Sequence, residues 1–370
     1  MATGQEATGV LNAICPYFTM FPLSFPHRIL SRHARTGERV LDPFCGRGTT
    51  NFAARMVGLD SLGIDSNPVA TAVTAAKLAS ASPAAVVRAA KRILDEVERT
   101  TVPEGDFWEL AYDRDVLRAL CRLRSGLLND CTSDVRKVLR GVILGVLHGP
   151  LQKTVLGYFS NQCTRTYAPK PRYAVKFWRS RRLKPPPVDV IALIRRRAEH
   201  LLSESLPPCT GGALLGDSRQ QGTLAPRPAR EGFHWVITSP PYYGMRTYMQ
   251  DQWLRNWFMG GSDSVDYRNV GQLEHTGPDV FSEELGKVWA NVASVCARDA
   301  RLVVRFGGIS DRKADPLEIL KSSLHGSGWR ISTLHAAGKA DLGKRQADSF
   351  LRNRSKPLQE YDLWARREYA

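Results

Sequence analysis

The stretch VLDPFCGRGTT, residues 40–50, decides the fold. It begins with apolar residues, turns through two glycines and ends in two threonines. Two glycines between a strand and a helix let the backbone approach a ligand closely at the carboxyl edge of a parallel sheet. We therefore predict a strand at 39–41, a tight turn at 42–48 and a helix that starts at Thr49 and Thr50, whose hydroxyls would cap it.

Short strands alternate with helices on both sides of a long middle segment. Residues 61–64 predict a second strand, and Asn67-Pro68 predicts a helix start because proline is favoured at the first helical position. Further strands are predicted at 213–215, 234–237, 301–306, 330–334 and 361–366, and further helices at 248–258, 280–297 and 314–326. This alternation predicts an α/β fold with a mostly parallel, doubly wound sheet and helices on both faces.

The middle segment, residues 84–206, has a different composition. It holds 23 Lys and Arg against 13 Asp and Glu, and within it residues 150–200 hold 12 against 2, with aromatics interleaved. We predict an inserted, mainly helical and basic domain over 84–206, while 1–83 and 207–370 form the ligand-binding domain. The chain's net charge of +16 indicates a polyanionic partner, most often nucleic acid.

Several classes of protein are disfavoured by the residue pattern. The seven cysteines form no CxxC pair and the eight histidines no HxxxH pattern, so neither a metal site nor a disulfide framework is predicted. The longest apolar stretch, 138–151, is too short and too interrupted to span a membrane, and the start of the chain does not look like a signal peptide. We expect a reducing cytoplasm.

The acids near the turn distinguish between cofactors. A third glycine is replaced by Asn51 and no Gly-Lys-Ser/Thr follows, which argues against dinucleotides and triphosphates. Asp42, at a strand end, would repel a pyrophosphate but suits a cationic ligand, and Asp65 ends the next strand, where an acid accepts ribose hydroxyls. S-adenosylmethionine, with a sulfonium, an ammonium and a nucleoside, fits both acids. The alternative is an ordinary tight turn with a satisfied carboxylate.

A second motif, Ser239-Pro240-Pro241-Tyr242, follows the predicted strand at 234–237. Consecutive prolines fix an extended backbone, which holds acceptor groups in one place. An exocyclic amine is a poor nucleophile because its lone pair is delocalised into the ring. The Ser239 hydroxyl and the Pro240 carbonyl could accept its two N–H groups and free that lone pair, with Tyr242 stacked on the base. The alternative is a simple strand-to-loop turn.

Together, DPFCGRGTT (42–50) and SPPY (239–242) resemble the cofactor and catalytic motifs of DNA amino-methyltransferases. The resemblance covers residues 15–80 and 213–366. It implies a Rossmann-like class I methyltransferase sheet, S-adenosyl-L-methionine as cofactor, and catalysis by residues 239–242. The cofactor-binding residues that it implies are Tyr17, Phe18, Asp42, Pro43, Phe44, Cys45, Gly46, Gly48, Thr49, Thr50, Asp65, Ser66, Asp217 and Ser218. Within that set Cys45 is interpreted as a small packing residue, and Asp217 resembles an acid that meets the adenine amine of the cofactor.

The identity of the methylated base stays open between two possibilities. Within the family, Ser-Pro-Pro-Tyr is more typical of cytosine N4 methylation, whereas Asp or Asn at the first position is more typical of adenine N6. The order of motifs, cofactor motif first, keeps adenine N6 as the alternative. An RNA base methyltransferase and a DNA-binding subunit without turnover are further alternatives. The expected partner is double-stranded DNA with one base flipped out, in a prokaryotic cytoplasm. The expected setting is restriction–modification or defence, with a cognate restriction endonuclease or defence-system subunits as further candidate partners.

Side chains for DNA contact are predicted in two basic stretches. Asn, Gln and Arg pair with purine edges, and Lys and Arg contact phosphates without reading sequence. The predicted residues are Asn161, Gln162, Arg165, Tyr167 and Lys170 in the segment 84–206, Lys344, Arg345, Arg352 and Arg354 in the basic stretch 339–356, and Arg246 outside both. The alternative for residues 179–184 and 195–197 is a solvated helix face.

Overall fold

The computed structural model describes residues 9–16, 21–152, 154–224, 232–244, 249–266, 273–308, 314–339 and 359–368. The strands are β1 (Arg39–Asp42), β2 (Asp60–Asp65), β3 (Gly211–Leu215), β4 (Phe233–Thr238), β5 (Cys296–Gly307), β6 (Trp329–Lys339) and β7 (Gln359–Arg367). The α-helices are α1 (Ser24–His33), α2 (Thr49–Met56), α3 (Pro68–Leu78), α4 (Pro83–Glu96), α5 (Asp106–Ala111), α6 (Arg114–Asn129), α7 (Asp134–Val146), α8 (Pro171–Ser180), α9 (Val190–Leu201), α10 (Trp253–Phe258), α11 (Pro278–Ser294) and α12 (Pro316–Leu324).

The strands form one sheet in the order β3-β2-β1-β4-β5-β7-β6. The pairs from β3 to β5 are parallel, and β7 is antiparallel to both of its neighbours. The predicted mostly parallel α/β sheet is confirmed. The order reverses between β1 and β4, and ligands of open α/β sheets bind at the carboxyl ends of the strands at such a switch point.

Alternate residues of the central strands pack against helices on opposite faces of the sheet. Val40, Trp235 and Ile237 share one buried cluster with apolar residues of α1 and α2. Leu41 and Val236 share the other with residues of α11 and α12. Successive side chains of a strand point to opposite faces, so strands covered on both sides read as continuous apolar runs. Both faces of the sheet are therefore covered by helices.

The chain divides into two compact units. The sheet unit comprises residues 18–74, 207–247 and 269–370, and the helical unit comprises 1–17, 75–206 and 248–268. The helical unit is thus wider than the predicted insertion at 84–206. In the described part of the chain, no helix has the length and apolarity needed to cross a membrane.

The helical unit has its own aromatic core, which accounts for its discontinuous bounds. The ring of Trp108 lies 4.6 Å from that of Trp257, and the ring of Phe107 lies 4.8 Å from Trp253 and 5.4 Å from Trp178. Burying large aromatic rings is a major source of stability. Residues 249–266 therefore pack with the helical unit, although the sequence places them after the strand β4.

Candidate active site

The glycine turn follows β1 as the sequence predicts. Gly46 and Gly48 have φ of +50° and +72°, a left-handed backbone that favours glycine. A Cβ at Gly48 would lie 2.6 Å from Thr74 Oγ1, whereas a Cβ at Gly46 would meet none of the described residues within 4 Å. Gly48 is thus required by packing of the sheet unit. The backbone at Gly46 borders open space and is accessible to a ligand.

Helix α2 begins at Thr49 as predicted, but its cap differs from the prediction. The N-cap residue is Gly48, and no side chain caps the helix. The Thr50 hydroxyl instead donates a hydrogen bond of 3.0 Å to the carbonyl of Ile237 in β4. The prediction that the threonine hydroxyls cap α2 is wrong, because both threonines are buried and Thr50 ties the helix to the neighbouring strand.

Asp42 is fully buried at the end of β1. Its Oδ1 accepts hydrogen bonds from the Thr238 hydroxyl at 2.6 Å and from the Phe44 N–H at 3.1 Å. Its Oδ2 is buried and has no hydrogen-bond partner among the described residues. Burial raises the pKa of Asp42 to about 6, although the bonds from Thr238 and Phe44 act in the opposite direction. An unpartnered carboxylate oxygen in a buried site favours a cationic group beside it.

Asp65 connects the end of β2 to the glycine turn. Its Oδ2 accepts a hydrogen bond of 2.9 Å from the Gly46 N–H, and its Oδ1 accepts one of 2.9 Å from the Asn67 N–H. Burial raises the pKa of Asp65 to about 6, although both backbone bonds lower it. Each carboxylate oxygen has a second lone pair, so the group retains capacity for further donors. The next residue, Ser66, is exposed.

Asp217 and Ser218 follow β3. The Asp217 carboxylate accepts from Nε and Nη2 of Arg219 at 3.0 and 2.6 Å, and Arg219 also pairs with Glu284 at 2.8 Å. The Ser218 hydroxyl donates a 2.7 Å bond to the carbonyl of Pro43 in the glycine turn. The structure therefore brings Ser218 to the turn, whereas the carboxylate of Asp217 is held by a bidentate arginine.

The segment 239–242 leaves β4 beside the end of β1, because the two strands are parallel neighbours with Leu41 opposite Val236. Ser239 is partly exposed and Pro240 is buried. No hydrogen bond to the Ser239 hydroxyl occurs among the described residues. Asp42 and Ser239 thus lie at the same edge of the sheet, as the two motifs predict.

Tyr242 is more enclosed than the sequence suggests. Its side chain is 8% exposed, its hydroxyl donates a 2.8 Å bond to Oε1 of Glu360 in β7, and its ring meets Phe306 edge-on at 5.4 Å. A Cβ at Gly307 would lie 3.1 Å from the Tyr242 ring, so glycine makes room for it. The ring position is fixed by the sheet, and its role in stacking stays a prediction.

Other predicted residues divide into three groups. Asn161 is buried and donates to the Tyr158 carbonyl at 2.7 Å, so the structure places it inside the helical unit and not at the predicted contact surface. The Gln162 amide is likewise engaged, with the Leu110 carbonyl at 3.0 Å. Arg165 and Lys170 are exposed and Tyr167 is partly exposed. Seven predicted residues lie outside the described residues: Tyr17, Phe18, Arg246, Lys344, Arg345, Arg352 and Arg354.

The sequence-based prediction assigns no role to two residues of the site. Thr238, the donor to Asp42, ends β4 directly before Ser239, so the pairing of parallel strand ends could have identified it. Glu360, the acceptor from Tyr242, lies 118 residues further along the chain and gives no sequence signal.

The sequence comparisons with known proteins each cover about a fifth of the chain. Residues 4–76 match the model of the N6/N4 methyltransferase family, described as DNA methylase. Over 74 residues the chain is 34% identical to the type II methyltransferase M.MjaII of Methanocaldococcus jannaschii, a match that covers 20% of this chain and 14% of that protein. Both matches support the resemblance to DNA amino-methyltransferases, and the family match includes the glycine turn.

Two of the solved structures that match along most of the chain are methyltransferases. An rRNA methyltransferase of Streptomyces viridochromogenes is 13% identical, with a TM-score of 0.35 and coverage of 99% of this chain and 95% of that one. A SAM-dependent methyltransferase of Methanosarcina mazei is 9% identical, with a TM-score of 0.36 and coverage of 95% and 99%.

Proposed function

We propose that this protein transfers the methyl group of S-adenosyl-L-methionine to the exocyclic amine of a base in DNA. The observation that carries the proposal is the hydrogen bond between Thr238 and Asp42. It joins the end of the strand that leads into the glycine turn to the end of the strand that leads into Ser239-Pro240-Pro241-Tyr242. A donor site and an acceptor site at adjacent strand ends are the arrangement that direct transfer between two bound molecules needs.

The residues of the glycine turn fit the cofactor. The unpartnered Oδ2 of Asp42 accepts the cationic methionine end, and the open backbone at Gly46 permits close approach. Asp65 accepts the ribose hydroxyls while it keeps its bonds to the Gly46 and Asn67 N–H groups. When bound, the cofactor supplies an electrophilic methyl group on its sulfonium.

Residues 239–242 orient the amine that receives the methyl group. The Ser239 hydroxyl and the Pro240 carbonyl accept the two N–H groups of the amine, which restores the nitrogen lone pair. Because Tyr242 is held by Glu360 and Phe306, the segment after the two prolines has one fixed position. Catalysis then rests on positioning and electrostatics, with no covalent enzyme intermediate.

The substrate is one base flipped out of double-stranded DNA, since an exocyclic amine in a duplex is inaccessible to an in-line attack. Cytosine N4 is the first choice because Ser239 occupies the first position of its motif, and adenine N6 is the alternative. The basic segment 84–206 supplies the DNA contacts, and a restriction–modification or defence setting follows from the same assignment.

The deciding experiment incubates the full chain with S-adenosylmethionine carrying a labelled methyl group and with either duplex DNA or RNA. The nucleic acids are then digested and their nucleosides weighed. We expect N4-methylcytosine from DNA, and labelling slowed on the order of a hundredfold with Ser239→Ala. N6-methyladenine would reassign the base, and label found in RNA alone would overturn the proposal.

A further inference from the structure

Helix α8 has two faces with opposite environments. Ala174 and Trp178, four residues apart, are buried; the Trp178 indole donates to the carbonyl of Gln162 at 2.8 Å. Tyr173 and Phe177, also four residues apart, point outward, where Tyr173 is 70% and Phe177 36% exposed. Residues four apart share a helix face. Trp178 therefore anchors the helix, and the outer aromatic pair is not needed for the core.

The outer rings lie nearly parallel. The centroids of Tyr173 and Phe177 are 6.5 Å apart with an interplanar angle of 23°, and the guanidinium of Arg181 lies over the Phe177 ring at 3.9 Å. Large exposed ring faces leave apolar area in water, and a cation over a ring orients it. Tyr173 therefore presents its ring to solvent, while the Arg181 guanidinium covers one face of the partly exposed Phe177 ring.

Cations surround these rings. Residues 170–184 contain seven Lys and Arg and no Asp or Glu: Lys170, Arg172, Lys176, Arg179, Arg181, Arg182 and Lys184. All seven are exposed. Of these seven cations, Arg179 alone has a carboxylate of the described residues at ion-pair distance: its Nη2 lies 2.6 Å from Oδ1 of Asp106. The outer face of α8 and its C-terminal turn therefore carry a strong local excess of positive charge.

One of these cations occupies an unfavourable backbone position. Arg182 has φ of +52°. Among the described residues it is the only residue other than glycine with a positive φ. The Arg182 N–H donates to the carbonyl of Arg179, and the Leu183 N–H donates to the carbonyl of Trp178. Helices that end with this pair of hydrogen bonds usually have glycine at the position of Arg182. The chain keeps a charged side chain where glycine would be the less strained choice.

We propose that this surface, the outer face of α8 with residues 181–184, binds unpaired nucleotides of DNA. Bases stack on Tyr173 and Phe177, and phosphates contact the surrounding cations. Ring faces are hidden inside a duplex, so aromatic platforms with cations select unpaired nucleotides. An acidic peptide would match the charge but leave the ring faces unused. The choice of DNA as the nucleic acid rests on the proposed function.

The test measures binding of the full chain to a fluorescent oligo(dT) single strand at graded salt, by anisotropy. Replacing Tyr173 and Phe177 together by alanine should weaken binding about tenfold or more and leave the salt slope unchanged, because stacking is not ionic. Arg172→Glu with Lys176→Glu should weaken binding and reduce the salt slope, because fewer counterions are released.

Two matched controls lie on α6 of the same unit. Leu128 is an exposed apolar residue, and Arg118 is an exposed arginine. Leu128→Ala and Arg118→Glu should leave binding of the single strand within about twofold of the wild type. Equal losses in these controls would contradict a specific surface on α8.

Further measurements distinguish the proposal from its competitors. Unchanged affinity of the double alanine variant for the single strand would overturn it, as would an equal loss of binding to duplex DNA or to anionic vesicles. The α8 variants should bind S-adenosylmethionine like the wild type. A chain that binds oligo(dT) through α8 but does not methylate DNA would sink the proposed function alone, whereas methylation without this binding would sink the α8 proposal alone.

Discussion

The hydroxyl of Thr238 donates a hydrogen bond of 2.6 Å to Oδ1 of Asp42, across two strands that are 196 residues apart in sequence. Both groups are fully buried. Short bonds to a buried carboxylate are stronger than neutral ones. This contact fixes the relative position of the two motifs and leaves the other oxygen of Asp42 for a ligand.

Removing this hydrogen bond should change the titration of Asp42. Thr238→Val keeps the shape but removes the hydrogen bond that does most to lower the pKa of Asp42, so we expect that pKa to rise above about 6. The loss should destabilise the fold by about 1.5–3 kcal/mol, the range for bonds to charged groups. The measurement is the pH at half-maximal S-adenosylmethionine affinity, by calorimetry. Thr238→Ser, which retains the hydroxyl, is the control and should behave like the wild type.

The affinity for S-adenosylmethionine should increase with pH around 6. Burial raises the pKa of Asp42 to about 6, so at pH 5 only about a tenth of the molecules carry the carboxylate that a cation needs. We expect affinity about tenfold lower at pH 5 than at pH 7. Asp42→Asn should weaken binding and abolish the part of this dependence that Asp42 contributes.

Methylthioadenosine provides a ligand control for the same experiment, since it has the nucleoside but lacks the cationic methionine end. Asp42→Asn should leave its affinity unchanged, whereas Asp65→Ala should weaken both ligands because Asp65 is assigned to the ribose. Equal effects of both substitutions on both ligands would refute the division of roles.

The free energy of unfolding of the ligand-free protein should fall as pH rises from about 4 to 6. Over this range the native state retains protons that the unfolded chain has lost.

Ser239→Ala should separate catalysis from cofactor binding. The hydroxyl is assigned to the amine of the base and not to the cofactor, so the rate constant of methyl transfer should fall on the order of a hundredfold, as for loss of one preorganised polar group. The affinity for S-adenosylmethionine should stay unchanged. Single-turnover transfer and calorimetry measure the two quantities. Unaltered transfer in this variant would remove Ser239 from the mechanism.

Tyr242→Phe tests whether the position of the ring matters. The substitution keeps the ring but removes the bond to Glu360, so we expect a loss of about 1 kcal/mol of stability and a lower transfer rate. Glu360→Gln in the presence of Tyr242 retains an acceptor for the hydroxyl and should keep most of the stability and most of the transfer rate. Denaturant unfolding and single-turnover transfer check the pair. Wild-type transfer by Tyr242→Phe would show that the hydroxyl bond has no part in positioning.

Arg255 should be essential for the helical unit. Its guanidinium is fully buried and donates to the carbonyls of Leu144, Arg165 and Thr166 and to the Gln252 amide. Arg255→Met removes these buried hydrogen bonds and should destabilise the protein by about 2–4 kcal/mol. Arg255→Lys, with a single ammonium, should recover part of this loss. Denaturant unfolding measures both, and Arg165→Met, at an exposed side chain, should change little.

Arg182→Gly should stabilise the protein. Glycine adopts the left-handed backbone at this position without the steric penalty of a side chain, a gain of about 1 kcal/mol. Arg181→Gly removes the same charge at φ of −105°, where no such strain exists, and should not stabilise. Thermal unfolding compares the two. Equal stability changes would show that the gain comes from charge and not from the backbone.

Much of the sheet unit could be predicted from local sequence. Each predicted strand of the sheet is present, because runs of apolar residues bounded by Gly, Pro and Asn carry local signals. Helix α3 starts at Pro68 as predicted, and the Asn67 side chain accepts from the Val69 N–H at 2.9 Å. The prediction that Thr49 and Thr50 cap α2 is wrong, because the Thr50 hydroxyl donates to a carbonyl of the adjacent strand. That carbonyl belongs to a distant part of the sequence, so the local sequence could not indicate it.

The sequence alone determined the order of strands and helices, the two glycines of the turn, the proline-rich segment after β4 and the basic character of the middle of the chain. These features depend on backbone preferences and on composition, which are local. Only the tertiary structure decided that Thr238 meets Asp42, that Glu360 holds Tyr242, and that Asn161 is inside while Tyr173 is outside. Hydrogen-bond partners and burial depend on which distant segments pack together, and no local pattern of residues specifies that.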